Sequence, residues 1–202
     1  MKTDKDQIVA AALKLLNEAG LEGLTTRALA ERLGVKQPAL YWHFKDRSTL
    51  LAAMNTAMEA GFAAPSPDPD TPWQDYVFHT GQAFRAMLLA HRDGARVHAG
   101  TRANRAKLEE QMTVLVRAGL PIPLAIQLLV SVGRFVVGWV LEEQAEAASP
   151  PGPPVAPGSL AEQTLVSFLE MGDEAAFQAG LRMLIDGAGA RLNGIQPAVP
   201  PP

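Results

Sequence analysis

The sequence holds 202 residues, 48% of them hydrophobic, with 18 Lys and Arg against 21 Asp and Glu and no cysteine. That length and apolar content suffice for a buried core in one or two domains. The missing cysteines exclude a disulfide framework and thiolate metal sites, and they fit a reducing, cytoplasmic setting. A net charge of −3 excludes a uniformly basic nucleic-acid binder, yet residues 1–47 carry +2 and the remainder −5, a mildly basic head on an acidic body. With only 6% aromatic residues, and Gly and Pro gathered at segment ends, the expected class is all-α.

The charged start, Met1 to Asp6, runs into a periodic segment and lacks the apolar run and cleavage site of an export signal. Ile8, Val9, Ala12, Leu13, Leu15 and Leu16 recur at helical spacing, and Gly20 and Gly23 supply a stop, which predicts a helix over 4–19. Thr25 or Thr26 caps a short helix through Leu33, Gly34 permits a sharp turn, and Gln37-Pro38 opens another helix through about His43. Leu29, Leu33, Val35 and Leu40 face inward in this reading, with Ala30 leaving room for close approach. Gln37, Tyr41 and His43 are left facing out. This is the grammar of a helix-turn-helix, whose second helix enters the DNA major groove. Trp42 and Phe44 read as core anchors of that helix.

Asp46 or Ser48 caps a connector helix that fades before Pro65. The proline-rich run Pro65 to Pro72 forms a loop, because prolines lack donors and restrict their predecessors. Further helices are expected at about 73–90, 92–99, 105–118, 122–147, 160–171 and 174–192. Ser149 to Gly158 reads as a mobile loop and 197–202 as a disordered tail. The apolar run Leu120 to Leu141 is long enough to span a bilayer, but Arg134 and Gln127 interrupt it and Pro121 and Pro123 break its start. It reads as a helix buried between protein surfaces, with no membrane partner. His79 and His91 read as surface residues.

From Leu24 to Leu51 the chain resembles the DNA-binding domain of the tetracycline-repressor (TetR) family, and Gln37-Pro-Ala-Leu-Tyr-Trp-His43 resembles its recognition helix. The resemblance implies base reading by Arg27, Gln37, Pro38, Ala39 and Tyr41 or His43, with Thr26, Tyr41, His43 and Arg47 near phosphates. Chemistry agrees in kind: Gln pairs with adenine, Arg with guanine, and Ala or Pro touches a thymine methyl. Ala39 stands where relatives carry threonine and Lys36 where an acidic residue is common, which implies an altered operator sequence.

The resemblance continues from Trp73 to Gln144, most tellingly in Arg92-Asp-Gly-Ala-Arg-Val-His-Ala-Gly-Thr-Arg102. It implies a magnesium ion chelated by an inducer, with His98 as direct ligand and Thr101 and Glu142 holding its waters, a set suited to an ion that keeps several waters. It also matches Phe84 and Gln111 to inducer contacts, while helical spacing suggests Met87, Val114, Leu128 and Val132 as apolar wall. A histidine and an asparagine of the family fall at Ala63 and Thr80, so those ring contacts cannot form in the same way. The alternative for His98 is a structural cap, and for Glu142 a solvated helix end.

The expected organisation is an N-terminal three-helix helix-turn-helix DNA-binding domain over 1–47, a connector helix over 48–64, and a helical ligand-binding and dimerisation domain over 65–196. The expected function is a ligand-responsive repressor. It binds a palindromic double-stranded DNA operator as a homodimer and is released by a small-molecule inducer, a Mg²⁺-chelated tetracycline-like polyketide among the implied classes. Dimerisation is expected through 122–147 and 174–192, with Leu128, Val132, Phe135, Phe177, Leu181 and Leu184 as contacts. No Ser/His/Asp set, carboxylate pair or glycine-rich phosphate loop stands out. An inducer-independent DNA-binding regulator and an enzyme on a borrowed scaffold are the alternatives.

Overall fold

A computed structural model describes residues 4–61, 71–101, 105–147, 152 and 154–195. Ala63, residues 65–70 of the proline-rich run, residues 149–151 and 153, and the tail 197–202 lie outside the described residues. Among those described, the secondary structure is entirely helical.

Helix α1 (Lys5–Gly23) opens on a reciprocal cap. The Asp4 carboxylate accepts from the Gln7 backbone N–H at 2.8 Å, while the Gln7 side chain accepts from the Asp4 N–H at 3.3 Å, relieving two of the donors every helix start leaves unpaired. Its buried stripe is Ile8, Val9, Ala12, Leu15 and Leu16. At the expected stop, Gly20 takes φ 70° and kinks the chain, and one more turn follows to Gly23.

Helix α2 (Thr26–Leu33) is capped by the Thr25 hydroxyl, which accepts from Ala28 N–H at 3.1 Å. Gly34 ends it in the left-handed region at φ 65°, a conformation that costs a residue with a Cβ. Helix α3 (Gln37–Tyr41) carries Pro38 in its first turn, where a missing donor is harmless. It is shorter than the periodicity predicts: after Tyr41 the chain closes in a turn in which the His43 and Phe44 N–H groups both reach the Leu40 carbonyl, at 3.0 and 2.9 Å.

Helix α4 (Arg47–Ala60) is capped by Asp46, which accepts from Thr49 N–H at 2.8 Å. Hydrogen bonds from Ser48 and Thr49 lower the Asp46 pKa from 3.8 to about 2. This helix packs on α1 and, at its other end, on α5 (Trp73–Leu89) and α6 (Gly94–Ala99). It physically joins head to body.

The body is completed by α7 (Arg105–Arg117), α8 (Ile122–Glu146), α9 (Leu160–Met171) and α10 (Asp173–Ile195). Helices α5, α8 and α10 pack against one another at its centre. The stripe Leu124, Leu128, Val132, Val136 and Val140 of α8 is buried, as are Phe177, Leu181 and Ile185 of α10. Phe177 stacks on Phe135 at 5.5 Å and meets Trp139 edge-on at 5.8 Å. Arg85 lies over the Phe177 ring and pairs with both Glu143 and Glu174, bracing the three helices. Length and composition would let α8 cross a membrane; here its apolar stripe is spent on α5 and α10.

That packing corrects the expected dimer contacts. Leu128, Val132, Phe177 and Leu181 are consumed by the chain's own core, and Phe135 and Leu184 are half-buried against it. The surplus apolar surface lies elsewhere, at Met183 on α10 and at Leu165, Val166, Phe168 and Leu169 on α9.

Candidate functional site

The candidate reading surface is the outer side of α2 and α3. Thr26, Arg27, Gln37 and Pro38 are exposed, Ala39 is half-buried, and Tyr41 is exposed. His43 is half-buried like Ala39. Phe44 enters the core as expected, with the Lys5 ammonium 5.8 Å from its ring centre. Trp42 does not: it is 90% exposed. It follows the last residue of α3, where the helix gives way to the turn that swings Phe44 inward, so its ring stands out beside Tyr41.

Arg47 also departs from its expected place at phosphates. Its guanidinium donates to the Leu24 carbonyl at 2.9 Å and to the Leu21 carbonyl at 2.7 Å, tying the end of α1 to the start of α4. Arg32 pairs with Glu18 and joins α2 to α1. These two arginines tie α1 to α2 and α4 around the head's buried core.

A second polar cluster joins head to body. Asp93, at φ 56°, accepts from Leu21 N–H at 2.7 Å. Arg92 N–H donates to the Asn17 side chain at 3.0 Å and its guanidinium to the Glu18 carbonyl at 3.1 Å. Arg96 bonds Glu22 at 2.7 Å and Asp93 at 3.1 Å. All but the Arg96–Asp93 pair land on the last turns of α1, around the Gly20 kink. Nearby His91, expected on the surface, is half-buried with its Nδ1 unpartnered, and burial lowers its pKa.

The candidate ligand site is a cavity of about 280 Å³ enclosed by α4, α5, α6, α7 and α8. Six of the residues singled out from sequence line it: Thr80, Phe84, Met87, His98, Gln111 and Val132. Leu128 and Val114 do not, because Leu128 belongs to the buried core stripe of α8 and Val114 packs against that core. Besides Val132, the wall that α8 provides is the adjacent stripe of Ile126, Leu129, Val130 and Gly133, a three- and four-residue spacing legible in the sequence. Glu59, Tyr76 and Lys107 also reach the cavity without having been singled out.

His98 is the chemical centre of this wall. Its Nδ1 lies 3.0 Å from Asn55 Oδ1, and Asn55 Nδ2 donates to Glu59 Oε1 at 2.9 Å. Phe84 meets the imidazole edge-on at 4.9 Å. Burial lowers the His98 pKa, Glu59 opposes that and Lys107 reinforces it, so the ring is neutral and able to donate a lone pair near pH 7. Thr80 Oγ1 is buried beside Tyr76, whose phenol is pushed upward by burial and by Glu110, with a hydrogen bond to Thr80 partly offsetting.

The expected metal set assembles only in part. Thr101 is off the cavity wall, and its hydroxyl donates to the His98 carbonyl at 2.8 Å, steadying the end of α6. Glu142 is exposed and also off the wall, because at this end of α8 it is Glu143 that turns inward, to Arg85. Among the described residues no group of three or more His, Asp or Glu side chains is placed to hold a metal ion.

Comparison with known proteins places these features. Residues 8–54 match the family model for bacterial regulatory proteins of the tetR family, and residues 65–192 the tetracyclin repressor-like C-terminal domain. The chain is 43% identical to the class A tetracycline repressor protein of transposon 1721 from Escherichia coli over 94% of its own length and 92% of the relative's. A variant TetR from Acinetobacter baumannii AYE in complex with minocycline superposes with a TM-score of 0.88 at 40% identity, over 98% of both chains. The class A TetR in complex with 5a,6-anhydrotetracycline and magnesium superposes at 0.72 with 38% identity, over 94% of this chain and 99% of that one.

Proposed function

The chain belongs to the tetR family of bacterial regulatory proteins and is a ligand-responsive DNA-binding repressor, and on that footing we propose that it is a cytoplasmic, non-enzymatic homodimer released from a palindromic operator by a Mg²⁺-chelated, tetracycline-like inducer. Residues 1–47 form the reading domain, 48–64 the connector and 65–196 the ligand-binding and dimerisation domain. Thr26, Arg27, Gln37, Pro38, Ala39, Tyr41 and His43 face DNA. The dimer forms through α8 and α10, where Met183 is 74% exposed, with the apolar face of α9 alongside. A monomer in sedimentation at micromolar concentration would end that part.

The observation that carries the ligand reading is His98, a neutral imidazole on the wall of a largely apolar cavity that α4 helps to enclose. A bare divalent ion finds too few ligands here, whereas an ion that arrives already chelated needs only one protein donor, and His98 supplies it. His98 would hold such an ion, which would supply Lewis-acid affinity for the keto-enol oxygens of the inducer. Phe84, Met87 and Val132 cover the apolar body of the inducer, and the Thr80 hydroxyl and Gln111 offer it hydrogen bonds.

Occupancy matters through differential affinity. An inducer that favours the head spacing unfit for the operator shifts the equilibrium toward release, and one that binds both spacings equally shifts nothing. Because α4 contacts both the cavity and α1, it is the element whose position the inducer biases. The test is operator release by anhydrotetracycline, followed by fluorescence anisotropy with Mg²⁺ and after EDTA. Release that depends on the metal, and that His98→Ala abolishes without weakening the uninduced complex, is the expected result. Equal release with and without metal would overturn the chelate.

A further inference from the structure

The hydrogen-bond chain Glu59–Asn55–His98 runs from α4 to α6, and its chemistry dictates a proton position. The carboxylate of Glu59 offers only acceptors, so the end of the Asn55 amide facing it is the NH₂, at 2.9 Å. The opposite end, Oδ1, is then what faces His98 Nδ1 at 3.0 Å. An oxygen acceptor requires a donor, so Nδ1 carries the ring proton and Nε2 keeps its lone pair. The reversed amide would set oxygen against carboxylate, and with Asn55 only 5% exposed little water is at hand to relieve that clash. Free neutral histidine favours the other tautomer, with the proton on Nε2, which cannot bind a metal through that nitrogen.

We propose that Asn55 and Glu59 are positioning residues that hold His98 in the Nδ1–H form, so that its Nε2 lone pair is the one offered to the inducer's chelated metal. Phe84 fixes the plane of the ring and Thr101 its backbone. Neither selects the tautomer; Asn55 does. The connector helix thus supplies the group that sets the chemistry of the ligand site. The metal clause rests on the chelate reading above; the tautomer clause stands without it.

The full chain labelled with ¹⁵N-histidine, without inducer and near pH 7.5, decides the tautomer through two- and three-bond ¹H–¹⁵N correlations, with His98 assigned by its loss in His98→Gln. The expected pattern is a protonated Nδ1 and a bare Nε2. Asn55→Leu should move the proton toward Nε2, whereas Asn55→Asp, which keeps an acceptor, should retain it on Nδ1; Asn55→Ala replaces the leucine variant if that one fails to fold. Wild-type His98 protonated on Nε2, or a tautomer indifferent to Asn55→Leu, would overturn the proposal. The second arm titrates anhydrotetracycline by fluorescence with Mg²⁺ present, where loss of such an outer partner is worth about tenfold or more in affinity. Equal affinity of wild type and Asn55→Leu would refute the positioning role. Binding indifferent to Mg²⁺ in a wild type that shows the Nδ1–H form would instead refute the chelate alone.

Discussion

The reading head and the regulatory cavity are built on opposite plans. The residues proposed to face DNA lie between Thr26 and His43, on two short helices and the turn after them, whose outer sides do little else. The cavity takes its wall from five helices, between Glu59 and Gly133, and α5 and α8 use their other faces to form the core. Function and stability are therefore separable in the head and entangled in the body. A substitution on the reading surface changes what is bound, whereas one behind the cavity changes whether there is a cavity.

The largest expected effect lies in the entangled half. Phe177 touches no ligand, yet it fills the junction of α8 and α10 beneath Arg85. Truncating a fully buried phenylalanine to alanine costs about 3–5 kcal/mol. Phe177→Ala should lower the urea midpoint sharply and weaken inducer binding with it; unchanged inducer affinity in the destabilised protein would break the contrast.

Next comes the separable half. Gln37→Ala should cost about 1–3 kcal/mol of operator binding and relax base preference at one position. Its unfolding free energy should stay within about 0.5 kcal/mol of wild type. Paired binding curves on matched and scrambled operators, alongside a melt, measure both.

Arg47 sharpens the boundary between the two kinds of residue, because it sits in the head but acts as a brace. Arg47→Ala removes the donors to the Leu21 and Leu24 carbonyls, at about 1 kcal/mol for each lost hydrogen bond. Lower head stability with an unchanged salt slope of DNA binding is the expected outcome. A flattened slope with stability intact would return Arg47 to the phosphates.

The smallest effect is a pH dependence from the body. Burial lowers the His91 pKa below 6.5, so the unfolded chain binds a proton that the folded chain resists. The associated stability is present above pH 6.5 and declines as pH falls toward the folded-state value. His91→Gln should flatten that part of a stability-against-pH curve.

The same contrast explains what could be read from sequence. Caps and turns are local, so Thr25, Gly34, Pro38 and Asp46 announce the helices of the head from within four residues, and each acts there as its chemistry requires. Trp42 was misread because burial of an aromatic depends on where a helix ends, and α3 ends one residue before it. In the body, periodicity identified α8 but not the use of its faces. Leu128 and Ile126 lie on neighbouring stripes, and only the positions of α5, α7 and α10 make one core and the other wall. Asn55 was invisible for a related reason: nothing near it in the chain shows that its partner stands at position 98.

The Gly20 kink bears on how far this head can be exchanged for another. A Cβ built there would lie 3.0 Å from Arg92 Nε and from Asp93 Oδ2, so any other residue at position 20 crowds the groups that clasp the end of α1. A chimera carrying a foreign reading domain would thus be judged first at this clasp and only afterwards at its operator. A donor with glycine at the matching turn should couple to this body, and one without it should bind its own operator yet respond poorly to inducer. Portability of DNA specificity is decided at a site that never meets DNA.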